Sequence, residues 1–300
     1  MPLQSSGAIS LANVQTEFGG SNPIGINEYY GVAAGVPASG TISLASFYGK
    51  SAGGGPSLSV SIFHLAGGGS AFSDSEDGGY TGGSGAGGLL ISTGSISAPL
   101  PVVVGGSNGN SSTSLGTAIA GGRTTARFST TVSYSGGSGG GQGSGTGPAG
   151  TGTPGQGNDG GAKGPGVTGG GGGQSSSGFS GAAGGNGGSG YNISSFKAGP
   201  SITVAFGGGG IAISYNGTQS PSGDGVAYGL PGPTAPANRG GGTGAGNYSG
   251  GNSGGSGLVI VRYPGSTRLA TGGNSDYSAV VGGTTYYFHE FTSSSTLSYP

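Results

Sequence analysis

Residues 136–190 read GGSGGGQGSG TGPAGTGTPG QGNDGGAKGP GVTGGGGGQS SSGFSGAAGG NGGSG. Glycine accounts for 28 of these 55 residues, so the stretch has almost no side chains with which to build an ordinary core. It can remain a flexible coil, or it can pack extended backbones directly against one another. In a polyproline-type helix there are no internal hydrogen bonds, so every buried N–H and C=O group needs a partner on a neighbouring helix.

The composition of the whole chain favours order. It contains 81 Gly and 16 Pro, eight basic and nine acidic residues, 14 Tyr and 10 Phe. Disordered segments are normally rich in charge, whereas this chain is poor in charge and keeps aromatic residues that can anchor glycine stretches. Collagen is excluded because Thr153 and Val167 interrupt its three-residue glycine period. We therefore expect residues 136–190 to be folded, extended and largely outside helices and strands.

Several classes of function are disfavoured by composition. The chain has no Cys, which removes disulfides and thiolate metal sites. Its basic residues are scattered singly, so we expect no nucleic-acid partner. Neither an export signal nor a run of about 18 apolar residues is present, so we expect synthesis in a cytoplasm and no membrane insertion.

The first fifty residues contain a threefold repeat. SGAISLA (6–12), SNPIGIN (21–27) and SGTISLA (39–45) share the frame S-x-x-I-x-[LI], and an apolar or aromatic residue follows each copy. Ser10 is placed to cap a helix that ends at Phe18 before Gly19, and Ser43 to cap a single turn. A segment with so few apolar groups is marginal alone.

Two interpretations of residues 1–50 stay open, namely a small cap on the glycine body and a docking segment that completes its core on a partner. We expect docking. The candidate docking side chains are those of the repeat and its following aromatics: Ile9, Leu11, Ile24, Ile26, Tyr30, Ile42, Leu44, Phe47 and Tyr48.

Strand patterns frame the glycine stretch. Alternating or continuous apolar runs predict strands at 58–65, 89–92, 100–104, 126–134, 201–206, 211–215 and 258–263. The sequence thus predicts a mainly β protein with extended polyglycine II-like helices, little α-helix and a glycine-rich sandwich framed by strands. Its expected parts are an attachment segment (1–50), a glycine-rich body (51–264) and C-terminal strands that close the body (265–300).

Two C-terminal strands are predicted, at 286–291 and 293–299. An apolar edge strand is an aggregation hazard unless it is paired. We expect these strands to lie beside 58–65, 258–263 or both, so that the glycine-rich loops collect at the opposite end.

Sequence motifs for catalysis or for ligand and metal binding are weak. Residues 83–88 match GxGxxG, a match that glycine content alone explains, and residues 49–51 lack the rest of a P-loop. His64 and His289 lie in strand patterns and are expected to be structural. Asp74, Glu76 and Asp77 are interpreted as a solvated acidic turn, with cation binding as the alternative. We expect no enzyme, no catalytic residues, no metal and no cofactor.

Several longer motifs resemble those of a known group of proteins. SGAISLANVQTEFGG and SGTISLASFYG resemble N-terminal segments of virion structural proteins of tailed bacteriophages. GGSGLVIVRYPGS, ATGG and YYFHEFTSSSTLSYP are similar to parts of phage glycine-rich tail-fibre and adhesin proteins. The resemblance implies a virion protein on a tail or other surface appendage. In some members it also implies a sandwich of polyglycine II helices with receptor-binding loops at one end.

Three hypotheses about function follow, each for a different class of protein. The favoured one is an appendage adhesin that binds a host glycan or outer-membrane protein and contacts other virion proteins through residues 1–50, with a homotrimer left open. The alternative is a purely structural collar, baseplate or capsid-decorating component, and an ice-binding or matrix protein is a third. The candidate receptor-binding side chains are exposed-loop aromatics: Phe179, Tyr191, Tyr228 and Tyr248.

Overall fold

The computed structural model describes residues 3–33, 35–51, 57–73, 80–127, 130–180, 185–199, 202–208, 210, 235–245 and 250–299. The chain forms two compact units. The first comprises residues 1–59, 95–99 and 298–300, and the second comprises residues 60–94 and 100–297.

A short helix opens the first unit. Helix α1 spans Leu11–Phe18, and the Ser10 hydroxyl accepts a hydrogen bond from the Asn13 N–H at 3.2 Å. The helix ends at Gly19, whose φ of +77° is a conformation that glycine adopts without strain. The predicted cap and the predicted end of this helix are both confirmed.

The other two repeats form single 3-10 turns, Ile26–Tyr29 and Leu44–Phe47. In all three copies a side chain at the third helical position accepts a hydrogen bond from the N-cap N–H. The pairs are Ser10 with Asn13 Oδ1 (2.9 Å), Gly25 with Glu28 Oε1 (2.9 Å) and Ser43 with Ser46 Oγ (3.3 Å). The repeat in sequence is therefore a repeat in structure, built on the backward half of a capping box.

The repeats share one core. Val14, Tyr29 and Phe47, each three residues after the Leu or Ile of its frame, are buried. The rings of Tyr29 and Phe47 meet edge to face at 6.0 Å, and Phe18 lies 6.4 Å and 6.0 Å from them. Residues 1–50 were expected to be marginal alone; in the structure the three repeats pool their side chains in a common cluster.

The second unit is mainly β. Its strands, including those that begin or end in the first unit, are β1 (Leu58–Leu65), β2 (Ala71–Ser73), β3 (Leu89–Ile96), β4 (Leu100–Val102), β5 (Ser111–Thr113), β6 (Gly116–Ala118), β7 (Thr124–Arg127), β8 (Thr130–Ser133), β9 (Tyr191–Asn192), β10 (Thr203–Val204), β11 (Gly250–Asn252), β12 (Leu258–Pro264), β13 (Ser275–Val281), β14 (Thr284–Phe291) and β15 (Ser295–Leu297). A 3-10 turn, Ile193–Ser195, follows β9.

The largest sheet has five strands in the order β13-β14-β12-β1-β3. Strands β1, β12 and β14 are antiparallel neighbours, with Phe63 opposite Ile260 and Ile260 opposite Glu290. The predicted pairing of 286–291 with 258–263 is confirmed. The last predicted strand is placed differently, because β15 pairs with β4. Leu297 is fully buried there.

A second sheet has the order β11-β2-β7-β8. Strand β2 is parallel to β7, and β7 is antiparallel to β8 with Arg127 opposite Thr130. The single strand predicted for 126–134 is therefore wrong, because the chain reverses inside it. The predicted strand at 211–215 lies outside the described residues, and that at 201–206 is reduced to Thr203–Val204.

The glycine-rich stretch leads from β8 of the second sheet to β9, which pairs with β10 in a separate two-stranded sheet. Within 136–180 and 185–190 no residues form a named helix or strand, although their backbone groups make many hydrogen bonds. This matches the expectation for a folded stretch largely outside helices and strands.

Candidate functional site

The backbone of residues 83–88 donates hydrogen bonds with a period of three. Successive N–H groups point to three different segments, and every third N–H returns to the same segment at 2.8–3.0 Å. Gly83 and Ala86 donate to the carbonyl groups of Gly169 and Gly172, respectively. Ser84 and Gly87 donate to those of Thr243 and Gly240. Gly85 and Gly88 donate to those of Gly122 and Ile119.

The carbonyl groups of the same stretch accept from three further segments. The N–H groups of Gly141 and Ser138 donate to the carbonyls of Gly83 and Ala86, respectively. Those of Gly69 and Ala66 donate to Gly85 and Gly88, and that of Gly208 donates to Ser84. Residues 83–88 are thus bonded to six other backbone segments. Residues 169–172 have the same property, since they donate to segments at 139–142, 179 and 208 and accept from segments at 83–86, 161 and 188.

This density of backbone contacts requires glycine for space. A Cβ atom added to Gly85 would lie 2.1 Å from the Ser138 carbonyl oxygen, and one added to Gly171 would lie 2.0 Å from that of Ser84. Both distances are far below van der Waals contact. The glycines therefore serve as the packing surface between neighbouring backbones.

The bonded segments have two ends. Residue 88 leads directly into β3, and we call this the sheet end. At the opposite end, which we call the loop end, the Tyr80 N–H donates to Ser144 Oγ at 3.0 Å and the Ser144 N–H to the Tyr80 carbonyl at 2.9 Å. The Lys163 ammonium donates to the carbonyls of Ser144 (2.9 Å) and Gly145 (2.7 Å), which ties two connections together.

The second sheet exposes an apolar row towards the loop end. Phe72, Thr125 and Val132 lie opposite one another on adjacent strands, and Tyr134 follows two residues after Val132. Phe72 is 51% exposed, Val132 41% and Tyr134 37%. The Arg123 guanidinium lies 4.5 Å from the centre of the Tyr134 ring. We call Phe72, Arg123, Val132 and Tyr134 the sheet-face patch.

Sequence reasoning missed the sheet-face patch. The alternation of Thr131, Val132, Ser133 and Tyr134 was a usable signal, but which face of a strand is exposed depends on what covers the other face. Here Thr131 is buried against the glycine segments, so Val132 faces outwards.

Of the four predicted receptor-binding residues, the two that the structure describes lie apart. Phe179 is 47% exposed, and its carbonyl accepts from Gly170 at 3.0 Å towards the loop end. Tyr191 lies at the sheet end, where it packs against Phe63 and its hydroxyl is 2.6 Å from Ser195 Oγ. Tyr228 and Tyr248 lie outside the described residues, as do Asp74, Glu76 and Asp77.

Seven of the nine predicted docking residues belong to the core of the first unit or pack against it. Phe47 is fully buried. Six others, Ile9, Leu11, Ile24, Ile26, Ile42 and Leu44, are half-buried against the Val14–Tyr29–Phe47 cluster. Tyr30 and Tyr48 donate their hydroxyl groups to the carbonyls of Gly40 and Gly7.

Both histidines are buried. His289 Nδ1 donates to the Gly272 carbonyl at 2.8 Å, so Nε2 accepts from the Tyr263 hydroxyl at 3.2 Å. Burial lowers the pKa of His289. His64 Nε2 is 2.9 Å from Thr113 Oγ1, and burial lowers the pKa of His64 to about 4. Both rings are therefore neutral at neutral pH and bonded within the fold.

Within the described residues, no group of three or more acidic or histidine side chains is arranged to hold a metal ion. No helix in this part of the chain is both long enough and apolar enough to cross a membrane. No family model, curated protein or solved structure matches the chain.

Proposed function

We propose that the glycine segments form a bundle of polyglycine II helices, and that the protein is an adhesin on a surface appendage of a bacteriophage virion. The observation that carries the first part is the period of three in the bonds of residues 83–88. A helix with three residues per turn presents its N–H groups in three directions, so it bonds to a different neighbour at each residue. Six bonded neighbours are the arrangement that such a packing produces.

A polyglycine II bundle suits a surface appendage because backbone hydrogen bonds hold each helix to its neighbours on all sides. The glycine segments order the connections at the loop end with few apolar side chains, as the bonds among Tyr80, Ser144 and Lys163 illustrate. Adhesins need variable loops on a rigid support. The body supplies the support and the loop end presents the loops.

Host binding is assigned to the loop end and the sheet-face patch. Exposed apolar residues that form a contiguous patch are characteristic of interaction sites. Phe72 and Tyr134 offer ring faces for stacking on sugars, and Arg123 adds a cation beside the Tyr134 ring. Phe179 adds a further exposed ring towards the same end. Residues 1–50 are assigned to contacts with other virion proteins.

Purified protein tests the adhesin directly. We expect it to bind host cells and to block infection by the phage that carries it. The variant Phe72→Ser/Tyr134→Ser should bind host cells about tenfold more weakly or worse, because exposed aromatic residues dominate interface energies. Val280→Ser is the matched control, since Val280 is a 60% exposed apolar residue on β13 in the five-stranded sheet.

One result would overturn host binding, and a second would overturn its assignment to the sheet-face patch. Wild-type protein that neither binds cells nor blocks infection would favour the purely structural collar, baseplate or capsid-decorating component. Equal loss of binding in the double variant and in Val280→Ser would remove the sheet-face patch from the receptor site. Antibody labelling of particles in electron micrographs locates the protein in the virion, and particles without label would overturn the virion assignment.

A further inference from the structure

A pocket of about 200 Å³ opens at the sheet end of the second unit. Its walls come from the turn after β9, the turn at residues 237–240 and the ends of β12 and β14. Part of the lining is apolar, contributed by Ile193, Ile202, Val204 and Leu258. A volume of this size is below that of pockets for drug-sized ligands and fits a single small ring.

An ion pair crosses one side of the pocket. Lys197 Nζ lies 2.6 Å from Glu290 Oε1, and both side chains are largely buried. The Tyr277 hydroxyl donates to the same oxygen at 2.6 Å, and burial together with this bond raises the pKa of Tyr277. Within the described part of the chain the other carboxylate oxygen, Oε2, accepts no hydrogen bond. Glu290 therefore retains capacity to accept a hydrogen bond from a ligand hydroxyl.

A second cation, Arg239, lines the pocket. Arg239 is half-buried, and among the described residues no hydrogen bond or ion pair involves its guanidinium. Its backbone is fixed, since its carbonyl accepts from the Ala205 N–H at 2.8 Å. The preceding residue, Asn238, has a φ of +60°, and its N–H donates to Ser256 Oγ at 2.9 Å. The turn thus holds the Arg239 guanidinium at the pocket with no bonded partner among the residues that the structure describes.

We propose that this pocket binds a sugar acid of about monosaccharide size. The charges of Lys197, Arg239 and Glu290 sum to +1, which favours a ligand with one negative charge. The planar fork of an arginine matches a carboxylate with two parallel hydrogen bonds. Glu290 Oε2 accepts from a ring hydroxyl, and the apolar wall contacts the C–H face of the ring. A carboxylate and hydroxyl groups on one small ring define the ligand class.

The pocket lies at the sheet end and the sheet-face patch towards the loop end, so this site is separate from the proposed host contact. It does not depend on the phage assignment.

The test is isothermal titration calorimetry on the full chain, with glucuronate as the probe and glucose as its neutral match. We expect saturable glucuronate binding at about millimolar strength, as befits so small a ligand. Glucose should bind at least about tenfold more weakly, because it lacks the carboxylate that pairs with Arg239.

Arg239→Gln should weaken glucuronate binding about tenfold or more and leave the thermal midpoint unchanged, because no described residue bonds to the guanidinium. Arg268→Gln is the matched control, with the same charge change at a half-exposed surface arginine that pairs with Asp276 outside both proposed sites, and should bind glucuronate like wild type. The proposal is overturned if glucuronate shows no saturable binding, if glucose binds equally well, or if both variants behave alike. Host-cell adsorption is measured separately, so failure here leaves the adhesin proposal standing, and the reverse also holds.

Discussion

Single glycine residues in this protein have two distinct uses. Gly19 ends helix α1 with a φ of +77°, a conformation that costs other residues energy. Gly85 is needed because an added Cβ would overlap the Ser138 carbonyl. The first use is conformational and local, and the second depends on a neighbour 53 positions along the chain.

The second use predicts a sharp contrast between alanine substitutions. Gly85→Ala should lower the free energy of unfolding by about 3 kcal/mol, because the backbone of residues 138–139 must move to admit a methyl group. Gly106→Ala should be neutral or slightly stabilising, since no atom lies within 4 Å of its added Cβ. Denaturant unfolding of both variants measures the difference. Equal effects would mean that residues 82–88 are not packed as described.

His64 predicts how stability depends on pH. Its pKa is about 4 in the fold, against an ordinary value of 6.5, so the unfolded chain takes up the proton first. The contribution of neutral His64 to the free energy of unfolding is fully present above pH 6.5. As the pH falls towards 4, up to about 3 kcal/mol of this free energy is lost. Thermal unfolding between pH 7.5 and 4 should show this fall.

The matched variant is His64→Gln, which keeps a polar group near Thr113 and removes the titration. The thermal midpoint of this variant should be lower than that of the wild type at pH 7.5. This midpoint should also decline less between pH 6.5 and 4 than that of the wild type. A variant that declines as steeply as wild type would assign the effect to other groups. His289 also has a lowered pKa and supplies the residual slope.

At the scale of elements, the three turns of the first unit depend on the same side-chain cap. Glu28→Ala removes the acceptor for the Gly25 N–H and should destabilise that turn by about 1 kcal/mol. Glu28→Gln keeps an oxygen at the same place and should cost much less. Hydrogen exchange in peptides covering residues 24–31 of the full chain separates the two. Equal exchange rates in both variants would show that the cap is unimportant.

Strand β14 lies inside the largest sheet, between β13 and β12. Deleting residues 284–300 removes the buried rings of Phe288 and Phe291 and leaves β12 unpaired on one side. We expect the thermal midpoint of the second unit to fall by more than about 10 °C. Deleting residues 293–300 removes β15 alone and should cause a smaller fall. The prediction is wrong if both deletions melt like wild type.

At the scale of the whole molecule, each unit has its own core. The aromatic cluster of the first unit involves residues 14–47, and β1 of the second unit begins at Leu58. Deleting residues 1–50 should therefore leave the second unit folded, with an unchanged thermal midpoint. In assembled phage particles the truncated protein should be absent, as judged by immunoblotting, whereas the full chain is incorporated. Particles that carry the truncated protein would overturn the attachment role of residues 1–50.

Elements with local signals can be predicted from the amino-acid sequence. Ser10 and Gly19 bound helix α1 because a cap and a positive φ are properties of one or two residues. Strands β1 and β12 were evident because β-branched and apolar residues follow one another. The stretch 136–190 was predicted to avoid helices and strands because glycine favours neither.

Which backbone segments bond to one another depends on how the whole chain packs. Every glycine carries the same N–H and C=O groups and no side chain, so Gly83, Gly87 and Gly88 carry no signal that specifies Gly169, Gly240 or Ile119 as their partners. The same limit hid the sheet-face patch and the pocket at Arg239, since both depend on which neighbours cover a strand or a turn. Side chains encode register through their size and polarity, whereas glycine segments acquire register only when the whole set packs together.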